Sequence, residues 1–135
     1  MRATCIFSNI EALSGTPAYE NAQKYIKKPT GEVDLTVGRL YTIYGTTLRE
    51  GRTWLYVCQE VYDEYPKAYP LELFKLTDAS PSLYWRLNES GEFLIQEWAN
   101  DRAFIERLVD GEPHEVNHFK EQKTLMDNEH KAAPV

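Results

Sequence analysis

The residues best suited by type and spacing to do chemistry are His114-Glu115-Val116-Asn117-His118, which fit the pattern H-E-x-x-H. On a helix, two histidines four residues apart present both imidazoles on one face. There they can hold a zinc ion while the glutamate acts as general base towards the bound water. That chemistry also demands a third protein ligand and an open coordination position. The continuation that supplies the third ligand needs glycine and histidine where this chain has Glu121 and Thr124. A ligand from a second helix further along is not expected in the few residues that follow. The motif also comes directly after Gly111-Glu112-Pro113, which places it in the first turn of its helix. The expectation is an exposed acidic helix carrying two histidines one turn apart. A small zinc hydrolase on His114, Glu115 and His118 is the alternative.

Other catalytic arrangements are weaker. The third histidine, His130, lies in the tail, so a buried Ser-His-Asp or Cys-His set is hard to assemble. There is no G-x-G-x-x-G and no Walker pattern. The chain is therefore expected to bind rather than to catalyse, with no cofactor and no metal. Two patches suit recognition. In the first, Glu60, Tyr62, Asp63, Glu64 and Tyr65, with Tyr69 nearby, interleave acids and tyrosines on a loop that a hairpin would project. In the second, Glu97 and Asp101 lead into an acidic helix containing Glu106 and Asp110. Acids can pair the Lys and Arg of a partner, and aromatic side chains can anchor it. Trp98, between Glu97 and Asp101, is expected in the core.

Charge distribution sharpens that reading. The net charge of the 135 residues is −6. Residues 1–59 carry seven Lys/Arg and five Asp/Glu, a net of +2, whereas residues 60–135 carry eight and sixteen, a net of −8. Such a field repels nucleic acid and anionic membrane surfaces, and it accelerates encounter with a basic partner. No stretch approaches the roughly 20 apolar residues of a membrane span, and the N-terminus has no apolar signal core. Two cysteines, Cys5 and Cys58, are too few for a disulfide framework. A cytoplasmic protein with reduced thiols is expected, acting as a monomer or weak dimer.

The elements that must position these residues read as one α+β domain over residues 1–127, with a frayed tail at 128–135. Thirteen of the seventeen aromatic residues lie between Tyr41 and Phe104, and most of them are expected in the core. Cys5 to Phe7 reads as a short strand, and Ala18 to Lys28 as a weak helix or an irregular arm. From Leu35, two β-branched and aromatic runs surround Arg49-Glu50-Gly51-Arg52, a hairpin signature. A tight turn at Pro70 should feed a third strand to Leu76. These predict a small curved antiparallel sheet or a partly open SH3-like barrel in the N-terminal two-thirds, with short helices in the C-terminal third. There, a helical turn is expected at Leu83 to Trp85, and a strand at Phe93 to Ile95. A helix capped at Asn100-Asp101 should bury Phe104, Ile105 and Leu108, and a last helix should open at Pro113.

The chain also resembles a family of small bacterial proteins without an assigned activity. The resemblance runs from Leu35 to Asp127 and rests on Tyr41, Tyr44, Gly45, Pro70, Leu73, Phe74, Asp78, the run Glu97 to Asp101, and the closing Met126-Asp127. Arg39 departs from the lysine of that pattern, and neither histidine of the H-E-x-x-H belongs to it. The resemblance implies no catalytic residue. In size and acidity, members are similar to immunity proteins that protect bacteria from polymorphic or contact-dependent growth-inhibition toxins. That likeness implies an inhibitor of a toxin domain, typically a basic nuclease. A phage- or plasmid-encoded inhibitor of a host defence nuclease has the same physics. A regulatory domain with a small-molecule pocket among the aromatics is a further alternative.

Overall fold

The computed structural model describes residues 1–129. In chain order the strands and α-helices are β1 (Arg2–Cys5), α1 (Pro17–Tyr25), β2 (Leu40–Thr42), β3 (Gly45–Arg49), β4 (Arg52–Val57), β5 (Lys67–Pro70), β6 (Phe74–Asp78), β7 (Trp85–Leu87), β8 (Phe93–Ile95), α2 (Gln96–Asn100), α3 (Phe104–Val109) and α4 (Pro113–Asn128). The fold is α+β. Its strands form three small antiparallel sheets, ordered β2-β1-β6, β3-β4-β5 and β7-β8, rather than one curved sheet or barrel.

The chain passes between the first two sheets twice. The apolar run that looks like one long strand from Leu35 breaks at Ile43-Tyr44, with β2 pairing β1 and β3 pairing β4. Ile43 N–H still reaches the Met1 carbonyl, while Tyr44 N–H reaches the Tyr56 carbonyl. The second passage follows Pro70. That proline pairs with Trp54 inside β5, and a 3-10 turn at Leu71–Leu73 carries the chain into β6 beside β1. The expected single third strand is therefore two strands in different sheets. Period-two patterning marks extended chain, but it does not say where a strand changes partners.

Local signals decide the rest. The β3–β4 hairpin turns at Glu50-Gly51, both at positive φ (54° and 80°), as a two-residue turn requires. Glu50 takes this conformation without a glycine's freedom, and Lys24 Nζ (2.8 Å) and Asn21 Nδ2 (3.2 Å) hold its carboxylate. Asn21 is buried in α1 and also joins that helix to the hairpin. Its Nδ2 donates to the Arg49 carbonyl (3.0 Å), and its Oδ1 accepts from Trp54 Nε1 (2.8 Å). The ambiguous segment at Ala18 is thus a helix, opened by Pro17 after a Thr16 cap. At the N-terminus the strand is Arg2–Cys5, ahead of the expected Cys5 to Phe7. Leu83 and Tyr84 form a turn, and Trp85 begins β7 instead of closing a helix.

Tyr44 is the joint of the fold. Its hydroxyl donates to Asp127 Oδ1 at the far end of α4 (2.6 Å). Its carbonyl accepts from Trp85 Nε1 (3.2 Å), and its ring packs edge to face on Phe119, with centroids 5.9 Å apart. The next residue is glycine because β8 crosses closely there. A Cβ on Gly45 would lie 2.9 Å from Leu94 Cδ2 and 3.1 Å from the Phe93 carbonyl. Glu129 fastens the end of α4 as well, accepting from the Ser82 hydroxyl (2.6 Å) and Leu83 N–H (2.9 Å). The tail expected to fray from residue 128 is thus held at its start. Its remainder, including His130, lies outside the described residues.

Two expectations follow. Tyr44→Phe should cost about 1.5–3 kcal/mol of stability, the range for a hydrogen bond to a charged group, measured by urea denaturation. Both cysteines are buried and unpaired, and burial pushes the Cys58 thiol up to about 12 and raises that of Cys5. A thiol-specific colorimetric reagent at pH 8 should therefore react slowly with native protein and promptly with both thiols once it is unfolded.

Candidate interaction surface

The loop from Cys58 to Pro66 leaves β4 with its ends anchored and its tip bare. Asp63 N–H donates to the Glu60 carbonyl (3.1 Å), and Asp63 Oδ2 accepts from Glu60 N–H (3.0 Å), which closes a turn. Arg39 approaches Glu60 at 3.7 Å. Lys123 on α4 donates to the Val61 carbonyl (2.6 Å). Pro66 is buried and Tyr65 half-buried against the core. These tethers leave Val61 and Tyr62 each 78% exposed, and Glu64 is exposed beside them.

Beneath this tip runs a groove of about 550 Å3. Val61, Tyr62, Asp63 and Glu64 form one bank, and Val116, Phe119, Lys120 and Lys123 of α4 form the other. Sequence reasoning placed the first bank in a recognition site and missed the second. The banks lie more than 50 residues apart in the chain, and α4 offers no local sign of which flank meets a loop. Tyr69, in contrast, is a core residue rather than a contact. It pairs with Leu55 in the sheet at 6% exposure, its hydroxyl accepts from Gln59 Nε2, and burial pushes its phenol up to about 12.

The second acidic patch lies on the opposite flank of α4, and the structure does not join it to the loop. Glu97 on α2 faces both histidines of the H-E-x-x-H, with its oxygens 3.5 Å from His114 Nε2 and 3.6 Å from His118 Nε2. The two imidazoles lie parallel, with ring centroids 6.3 Å apart. Asp101 caps the turn into α3 through Ala103 N–H (3.0 Å) and pairs with Arg107 (2.7 Å). Arg107 Nε also holds Glu115, whose side chain is only 8% exposed. Zinc hydrolysis needs that glutamate free above an open metal position, and here it is committed to an arginine on its buried side. Among the described residues, no three His, Cys, Asp or Glu side chains are grouped so as to hold a metal ion. Glu106 and Asp110 are exposed on α3 and at its end.

Much of the acidic half therefore serves internal partners. Glu72 pairs Arg52, Asp127 accepts from Tyr44, Glu129 caps the Ser82 turn, and Asp101 and Glu115 share Arg107. Among the recognition candidates, Tyr62, Glu64, Glu106 and Asp110 remain presented to solvent without such a role. No protein-family model, curated protein or solved structure matches the chain. No helix among the described residues is long and apolar enough to cross a membrane.

The Asp101–Arg107–Glu115 cluster makes a pH prediction. Hydrogen bonds from Arg107 hold both carboxyls below their ordinary values of 3.8 and 4.5. A depressed carboxylate contributes stability above its ordinary value, and this is lost as pH falls through the folded one. Arg107→Met should lower the melting temperature at pH 7, and its deficit against the wild type should shrink as pH falls below about 4.5. A deficit that stays constant from pH 7 to pH 3 would show that the cluster is not the cause.

Proposed function

We propose that this protein binds and neutralises a bacterial toxin domain, in the manner of an immunity protein, using the Glu60–Glu64 loop and the groove beneath it. The observation that carries the reading is the pairing of a tethered loop with a bare tip. Val61 and Tyr62 are 78% exposed although the loop around them is fastened at Glu60, Val61 and Asp63. Large apolar side chains held out on a fixed loop gain nothing from the fold that holds them, and such groups mark binding surfaces. Tyrosine is among the residues that dominate binding energy at interfaces. Glu64 at the tip, with Asp63 behind it, gives the loop bank the sign that attracts a basic nuclease, while Lys120 and Lys123 on the α4 bank leave the acidic contact to the loop.

In this reading the protein is an inhibitor rather than an enzyme, acts in the cytoplasm, and excludes the toxin's nucleic-acid substrate by covering its cationic site. The net charge of −8 over residues 60–135 accelerates the encounter, and the aromatic tip determines how long the complex lasts.

The test is co-expression with the toxin domain encoded beside the gene, scored by growth and by co-purification. Protection is expected. Unrelieved growth inhibition, with no complex recovered, would overturn the assignment. Within the complex, Tyr62→Ala should weaken affinity roughly tenfold or more, about 1.4 kcal/mol. Glu64→Lys should slow association and flatten its salt dependence. Unchanged kinetics for both would move the interface off this loop.

A further inference from the structure

The seam between β3–β4, the β7–β8 hairpin and helices α2–α3 holds two adjoining cavities of about 320 and 360 Å3, which share Asn88, Ser90 and Arg102. Together they fall within the size range of small-molecule pockets, which often form where separate elements meet. One wall is aromatic: Tyr56 and Trp98 meet edge to face with centroids 4.6 Å apart. The turn opposite is built rigidly. Asn88 Oδ1 accepts from Ser90 and Glu92 N–H (3.0 and 2.9 Å), and its Nδ2 donates to Glu92 Oε1 (2.9 Å). Thr47 donates its hydroxyl to the other Glu92 oxygen (2.5 Å). Both oxygens of that carboxylate are engaged.

Two polar groups at the seam are not satisfied in this way. Arg102 is exposed and makes one hydrogen bond among the described residues, from Nη2 to Ser90 Oγ (2.8 Å). The other N–H groups of its guanidinium fork stay available. Trp98 is only 4% exposed, yet its indole N–H meets no acceptor among the described residues, whereas those of Trp54 and Trp85 do. Trp98 is one of the residues that line the first cavity.

We propose that the seam is a binding site for a small planar aromatic carboxylate. The ring packs against Tyr56 and Trp98, a ring substituent accepts from the Trp98 N–H, and the carboxylate pairs with Arg102. One guanidinium matches one carboxylate in charge and in fork geometry. Glu89 and Glu92 line the cavities too, so an anion enters only in direct contact with Arg102, and a dianion such as a phosphate ester is opposed more strongly than a single carboxylate. Leu48 and Leu87, both exposed, extend apolar surface at the cavity walls. The site is separate from the Glu60–Glu64 loop, so it stands or falls independently of the inhibitor reading.

The experiment is a titration of the whole protein with salicylate and with salicylamide, its uncharged analogue of the same shape, followed by amide and indole N–H chemical shifts. Saturable movement of the Trp98 indole N–H and of the Ser90 and Leu94 amides is expected with salicylate. The affinity should fall at least tenfold for salicylamide, and likewise for salicylate with Arg102→Gln. The salicylamide comparison uses unaltered protein and is independent of how the variant folds. A static Trp98 signal at 10 mM salicylate would overturn the proposal. So would equal affinity for acid and amide, or shifts centred on another part of the surface.

Discussion

The structure depends on a single buried phenol. Tyr44 sits where the chain passes from the β2-β1-β6 sheet into the β3-β4-β5 sheet, and its hydroxyl donates to Asp127, 83 residues further on. Burial and the Asp127 carboxylate both raise the Tyr44 pKa, so it remains a neutral donor at any ordinary pH. The carbonyl of the same residue takes the Trp85 N–H, and the ring abuts Phe119. One residue thereby sets β7 and both halves of α4 against the sheets. Because α4 is fixed there, Lys123 can reach Val61 and Phe119 can floor the groove. The candidate interaction surface is a consequence of that joint.

The residues of the pattern from Leu35 to Asp127 have structural roles of the same kind. Tyr41 is buried and takes the Thr36 N–H on its hydroxyl. Gly45 admits β8, Pro70 ends β5, and Leu73 and Phe74 are core. Trp98 packs between Tyr56 and Phe104, Asp101 closes the turn into α3, and Asp127 ties the last helix to Tyr44. Nearly every residue of the pattern is a joint or a cap. Val61, Tyr62 and Glu64, which carry the proposed function, fall outside it. Residues in such roles constrain the fold and leave the partner open, as expected when recognition resides on loops borne by a rigid scaffold.

The acidity of residues 60–135 resolves in the same way. As a sum, −8 describes a field that attracts cations. In the fold, several of those carboxylates are bound to Arg52, Arg107, Tyr44 or Ser82. The long-range field remains, because a hydrogen-bonded carboxylate keeps its charge. The groups free to touch a partner are fewer, and they separate into a loop and a helix on different flanks of α4. The H-E-x-x-H shows the same division most sharply. Its spacing places the histidines on one face as required, yet Arg107 draws the glutamate between them into the α3–α4 contact.

By itself, the sequence determined what depends on neighbours a few residues apart. The α+β class, the Glu50-Gly51 hairpin, β8, the helix after Asp101 and the one opening at Pro113 all follow from turn residues, caps and hydrophobic period. Also legible were the core position of Trp98 and the exposure of Tyr62 on a loop. The tertiary structure alone decided the division of one apparent sheet into three, since a strand's period does not name its partner. It also decided the burial of Tyr69, the commitment of Glu115 to Arg107, and the groove between residues 61–64 and α4. Those features depend on contacts between separate elements, from the 8 positions between Arg107 and Glu115 to the 62 between Val61 and Lys123, and a local pattern does not name the partner of a side chain or a strand.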